Sequence, residues 1–255
     1  MPDTAKKLED ARQLLDPILG ESRRLTRYAL GHADADSVLG GGLARGALHE
    51  IFAGDAGASG FTVCAAQRVS GDKHLLWIIQ DFCALEHGAP APTGFAELGI
   101  DPSKFFLLRT ADAADALRAG VDALSCTGFG AVIMEITGNP KVLDLVASRR
   151  LVLAAQQRGV TAFLLRQSAQ AEPGAAQTRW QVRSSCSSET DDWGIPRFEA
   201  ALVRNRQGET GHWVMEWSCD DGAFCKPRDR AAYPGAVVRA AADGPAATAK
   251  ARIAG

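Results

Sequence analysis

A chain of 255 residues, 46% hydrophobic and 23% charged, has the balance of a globular protein that can bury a sizeable core, which excludes wholesale disorder. Its 28 Lys and Arg against 30 Asp and Glu leave a formal charge of -2, so there is no global attraction to nucleic acid or acidic membranes and any polyanion contact needs a local patch. No run reaches the roughly 18 uninterrupted apolar residues of a membrane span, and the charged start leads into no apolar signal core, so a cytoplasmic protein with no membrane contact is expected.

Residues 3–29 carry Leu8, Leu14, Leu15, Ile18, Leu19 and Leu25 among charges, a helical spacing that Asp16-Pro17 interrupts. The segment 1–30 is therefore expected to be a helical arm with an apolar stripe. From residue 47 short β-rich runs (47–53, 74–80, 104–109, 130–136 and 160–167) alternate with helical stretches (60–70, 111–125 and 140–158). That alternation predicts an α/β fold, a doubly wound and mainly parallel central sheet covered on both faces. The third helix has a start signal, Asn139 as cap and Pro140 at the first helical position.

After Trp180 the pattern turns antiparallel: 197–206 and 212–219 are joined by a loop with two glycines, a C-terminal hairpin that extends the sheet. Trp213, Met215, Trp217 and Cys219 alternate onto one face and read as core. Residues 226–255 are rich in alanine, glycine and proline and carry Lys226, Arg228, Arg230, Arg239, Lys250 and Arg252 against Asp229 and Asp243, the composition of a basic, disordered tail. The six cysteines fall singly, with no C-x-x-C pair, and read as buried free thiols.

Residues 54–62, Gly-Asp-Ala-Gly-Ala-Ser-Gly-Phe-Thr, stand between a strand and a helix, where a phosphate-binding loop belongs. Such a loop reads G-x-x-x-x-G-K-[ST]: its glycine amides wrap the phosphates, its lysine reaches the terminal oxygens and its hydroxyl holds magnesium. Here Gly60 and Thr62 remain, Asp55 replaces the first glycine and Phe61 the lysine. An aspartate repels a triphosphate, and losing one charge-assisted contact forfeits roughly 1.5–3 kcal/mol. No cofactor, no ATP binding, no catalytic residue and no enzyme activity are therefore expected. Gly57 to Phe61 lacks the last glycine of a nucleophile elbow, and the five histidines are scattered, so neither a serine triad nor a metal site has support. Asp81, Glu135 and Gln167 follow or close strands, at the sheet edge where ligands of open α/β folds bind.

The order of these motifs resembles RecA. "LGGGLARGALHEIFAGDAGASGFT" (39–62) is similar to the strand and loop that open the RecA nucleotide site, and "LLWIIQDFCAL" to the strand that ends in its catalytic glutamate, with Asp81 at that place. "AVIMEITG" resembles the Walker B strand, with Glu135 for the usual aspartate, and "RGVTAFLLRQ" the strand ending in a sensing glutamine, here Gln167. With "TRWQVRSS", the set looks like the ImuA family, RecA-like accessory proteins of bacterial inducible mutagenesis that are related to the cell-division inhibitor SulA.

The resemblance implies a RecA-like domain over 31–225 with a degenerate loop, in which Asp55, Gly60, Phe61, Thr62, Asp81, Glu135 and Gln167 are remnants of a nucleotide site. It implies a role in the damage (SOS) response and translesion synthesis beside ImuB, a Y-family polymerase relative, and an error-prone C-family polymerase, with association to the nucleoid on DNA damage. Self-association, a contact with RecA and weak or indirect DNA binding are left open. So are two rivals, a DNA-dependent ATPase or recombinase and a SulA-like inhibitor of division. Arg179, Trp180, Arg183, Lys226, Arg228 and Arg230 are the candidate contacts with DNA or a partner. The string 179–183 reads either as a charged stacking surface or as a helix-to-strand transition around a buried tryptophan.

Overall fold

The computed structural model describes residues 26–186 and 194–227. In chain order its elements are β1 (Arg27–Tyr28), α1 (Ala33–Val38), β2 (Leu43–Ala44), β3 (Leu48–Ala53), α2 (Gly57–Ser70), β4 (His74–Gln80), α3 (Asp81–His87) and α4 (Pro92–Glu97). There follow β5 (Phe105–Thr110), α5 (Ala113–Leu124), β6 (Phe129–Thr137), α6 (Leu145–Arg158), β7 (Thr161–Gln167), β8 (Thr178–Ser184), β9 (Arg197–Asn205), β10 (Gly211–Ser218) and β11 (Ala223–Cys225). Nine strands form one sheet in the order β11-β10-β9-β8-β3-β7-β6-β4-β5. The six from β8 to β5 are mutually parallel, and β9, β10 and β11 add on antiparallel.

The sequence of the central strands accounts for their place. "HLLWIIQ", "AVIMEIT" and "TAFLLRQ" are nearly continuous apolar runs, and a strand covered by helices on both faces has no side to leave polar. One core lies under α2, where Phe61, Cys64 and Ala65 meet Ile51, Ile133 and Leu165. The other lies under α5 and α6, where Leu117 and Leu151 meet Val132, Met134 and Leu164. Trp213, Met215 and Trp217 extend the first core beneath the antiparallel hairpin. Among the described residues no helix is long and apolar enough to cross a membrane.

Four expectations are corrected. Residues 27–28 of the arm form a strand with 43–44 instead of continuing a helix; residues 1–25 lie outside the described ones. The helix after β3 starts at Gly57, three residues before the expected position. The third crossover helix starts at Leu145, capped by the Asp144 side chain, which accepts from the amide of Ala147 at 2.8 Å. Asn139 is engaged elsewhere, pairing both ways with the backbone of Gln170. Finally, 178–184 is not a surface string: Trp180 is buried, as the second reading has it, but within a sixth parallel strand, paired with β3 over 178–182, that no helix leads into.

Candidate functional site

Between β3 and α2 the loop of the motif has almost vanished. Gly54 donates its amide to Val182 at 2.7 Å, and only Asp55 and Ala56 separate it from the helix. A Cβ at Gly57 would sit 2.7 Å from the Ser184 amide nitrogen, so only glycine lets α2 begin against the end of β8. With the helix started there, Gly60, Phe61 and Thr62 are its fourth to sixth residues: Gly60 still borders the open space beside the turn, while Phe61 and Thr62 are buried in the core. Gly60 lies under the Phe198 ring, which a Cβ would meet at 3.3 Å. Phe61 is 2% exposed and packs on Phe224, Trp180 and Phe198, with ring centroids 5.1, 5.7 and 5.9 Å away. Thr62 is buried and donates its hydroxyl to the Ala58 carbonyl at 2.6 Å, so it is not free to hold a metal.

The start of α2 carries the positive end of the helix dipole, an anion seat at its first amide, since the next two donate to the Asp55 and Ala56 carbonyls. A side chain of the chain itself takes it. The Asp55 carboxylate accepts from the Gly57 amide at 2.8 Å, from the Ser184 amide at 2.8 Å and from the Ser184 hydroxyl at 2.6 Å. Partial burial works to raise its pKa, but the bonds from Ser184 and Gly57 and the charge of Arg183 prevail and hold it below the usual carboxylate value.

Beside this turn opens a cavity of about 790 Å³. Its walls are the first turns of α2, the end of α3 with the 88–91 loop, and α4, and Glu135 and Gln167 stand at its sheet edge. Glu135, 2% exposed, accepts from the Gln167 side-chain amide at 2.8 Å and from the Trp77 indole at 2.9 Å. Burial raises its pKa against those two bonds. Asp81 does not join them. It opens α3 and pairs with Arg109 at 2.8 Å, outside the cavity lining, and Glu86 and His87, at the other end of the same helix, are the ionisable groups of that wall. No periodic signal marks these two, because α3 is only seven residues long.

On the opposite face of the sheet, Glu50 of β3 accepts from Arg166 at 3.1 Å and from Arg179 at 2.7 Å, and both guanidinium groups lie about 5.5 Å from the Phe52 ring centroid. Arg166 also donates to the Gly138 carbonyl and Arg179 to that of Glu172, which ties down the loops after β6 and β7. A charge inside a run such as "LHEIFA" or "AFLLRQ" must find a partner, and that signal was available in the sequence. Arg179 and Trp180 are therefore corrected as contact candidates: both are buried, one in this triad and the other in the aromatic core. Arg183 is exposed and pairs with Glu199, which also meets His212; Lys226 is exposed and pairs with Asp34. Arg228 and Arg230 lie outside the described residues.

A mainly parallel sheet wound on both faces, with a strand-turn-helix at its ligand edge and an antiparallel extension, is a RecA-like fold. Of solved structures, the chain is similar to the crystal structure of the RadB recombinase, with a TM-score of 0.55 and 16% identity over 79% of this chain and 100% of that one. At that identity the likeness is one of fold. No protein-family model and no curated protein matches the chain.

Proposed function

We propose that the chain is a non-hydrolysing RecA-like accessory factor that organises a mutagenic polymerase complex, with ImuB and an error-prone C-family polymerase as partners, in translesion synthesis after DNA damage. The observation that carries the non-hydrolysing part is the Asp55 carboxylate bonded to the first amide of α2 and to Ser184, in the seat a phosphate would need. A triphosphate would have to break those bonds and then lie against a carboxylate, with no lysine at 61 to offset it.

The loops after β6 and β7 support a scaffold over a DNA-gripping filament. They are short, fastened to Arg166 and Arg179, and cross-linked by Asn139 and Gln170. The partners rest on the sequence resemblance to the ImuA family. The test is a pull-down under DNA damage together with an ATPase assay on the purified chain. Recovery of ImuB and the polymerase with no turnover is the expected result. ATP turnover raised by single-stranded DNA would overturn the reading in favour of a recombinase, and capture of a division protein without ImuB would overturn it in favour of a division inhibitor.

A further inference from the structure

The cavity beside the plugged turn has the wrong sign for a phosphate and the right one for a cation. Asp55, Glu86 and Glu135 line it, and among the described residues His87 is the only basic side chain that does. Glu135 adds an independent observation. It is a carboxylate 2% exposed whose two oxygens meet only neutral donors, the Trp77 indole and the Gln167 amide. A buried carboxylate held by neutral dipoles alone keeps most of its desolvation penalty, which an incoming cation would offset.

The rest of the lining selects the kind of cation. Among the described residues no three His, Cys, Asp or Glu side chains come together as a metal-ligand set. Val63, Trp77, Phe95 and Leu98 instead give apolar walls that suit an aliphatic stem, and about 790 Å³ is in the range of organic ligand sites. We propose that this cavity binds an alkyl cation, a guanidinium or ammonium group on an aliphatic stem, with its head toward Glu135 and Glu86 and its stem along the apolar wall. The site rests on the reading that no nucleotide uses the cradle. The same chemistry has two sources, an arginine or lysine side chain of a partner protein and a free polyamine.

The test titrates the full chain with Nα-acetyl-arginine amide, spermidine, the neutral isostere Nα-acetyl-citrulline amide and Mg-ATP, following the indole N–H resonance of Trp77. The cations should shift that resonance saturably and citrulline should bind at least about tenfold more weakly. Glu135→Gln and Glu86→Gln should each lose about tenfold in cation affinity, or 1.4 kcal/mol; the second lies on an exposed wall, so its result does not depend on core folding. Tighter binding of the arginine amide assigns the site to a protein side chain, and tighter binding of spermidine to a polyamine. Equal binding of arginine and citrulline, or silence to all the probes, overturns the cation site and leaves the non-hydrolysing reading standing. A shift by Mg-ATP overturns that reading instead.

Discussion

Two glutamates are buried on opposite faces of the same sheet and are treated in opposite ways. Glu50, 5% exposed on β3, sits between two guanidinium groups that stack on Phe52. Glu135, on β6 and on the other face, has an indole and an amide. The first carboxylate is more than neutralised, and each of its arginines also donates to one loop carbonyl, which makes it a clamp. The second keeps an uncompensated charge beside open space. Burial alone therefore does not separate a structural ion from a functional one; what surrounds the oxygens does.

The largest effect is expected where a new charge has neither arrangement available. Restoring the lysine of the motif with Phe61→Lys would remove a ring packed on three others and put an ammonium in its place. Ring loss alone is worth about 3–5 kcal/mol, and the unpaired charge adds several more. The variant should fail to fold or melt far below the parent in a calorimetric scan, and it should not gain ATP binding. A folded, ATP-binding Phe61→Lys protein would show that the ring can leave the core. Next in size is Glu50→Ala, which strands Arg166 and Arg179: about 3–5 kcal/mol lost in denaturant unfolding. A loss below about 1 kcal/mol would place the clamp among surface ion pairs.

How far the sequence foretold this can be read from the same residues. The five runs that became β3 to β7 were legible because each is an apolar block bounded by glycine, proline or charge, and so was the hairpin of β9 and β10. The strand β8 was not, although Trp180 and Val182 alternate with Gln181 and Arg183, because its parallel partner β3 lies some 130 positions earlier in the chain. The motif correctly located a strand, a turn and a helix, with Asp55 at the turn and Phe61 inside the helix. It could not show that Phe61 faces inward, since the rings that receive it come from residues 180, 198 and 224, brought together only by the finished sheet. Asp144 rather than Asn139 caps α6 for a similar reason: Asn139 has a better-placed partner in a loop 31 residues away.

His49, next to Glu50 on β3 but facing the other core, makes the contrast measurable by pH. It is 0% exposed, and burial pulls its pKa down to about 4, against a weaker opposing effect of its bond to the Ala44 carbonyl. The folded chain thus refuses a proton that the unfolded chain accepts. The stability this residue contributes is complete above about pH 6.5 and is lost as pH falls toward 4, by roughly 3 kcal/mol in all. Denaturant melts at a series of pH values should show that slope, and His49→Gln should flatten it.

Glu135→Gln is expected to change stability least, by under about 1 kcal/mol at neutral pH, because an amide can keep both bonds once Gln167 turns over and a buried charge disappears. Its sign is the informative part. With its pKa raised by burial, Glu135 holds its proton in the folded state to higher pH than in the unfolded chain, so its contribution is full at acid pH and is lost as pH rises through the folded value. That trend opposes the one from His49. The variant should therefore gain on the parent as pH rises above the usual glutamate range, and its stability profile should be the steeper of the two on the acid side. A profile parallel to the parent's would mean that Glu135 is as well compensated as Glu50, and the charge available to a cation would vanish with the difference between them.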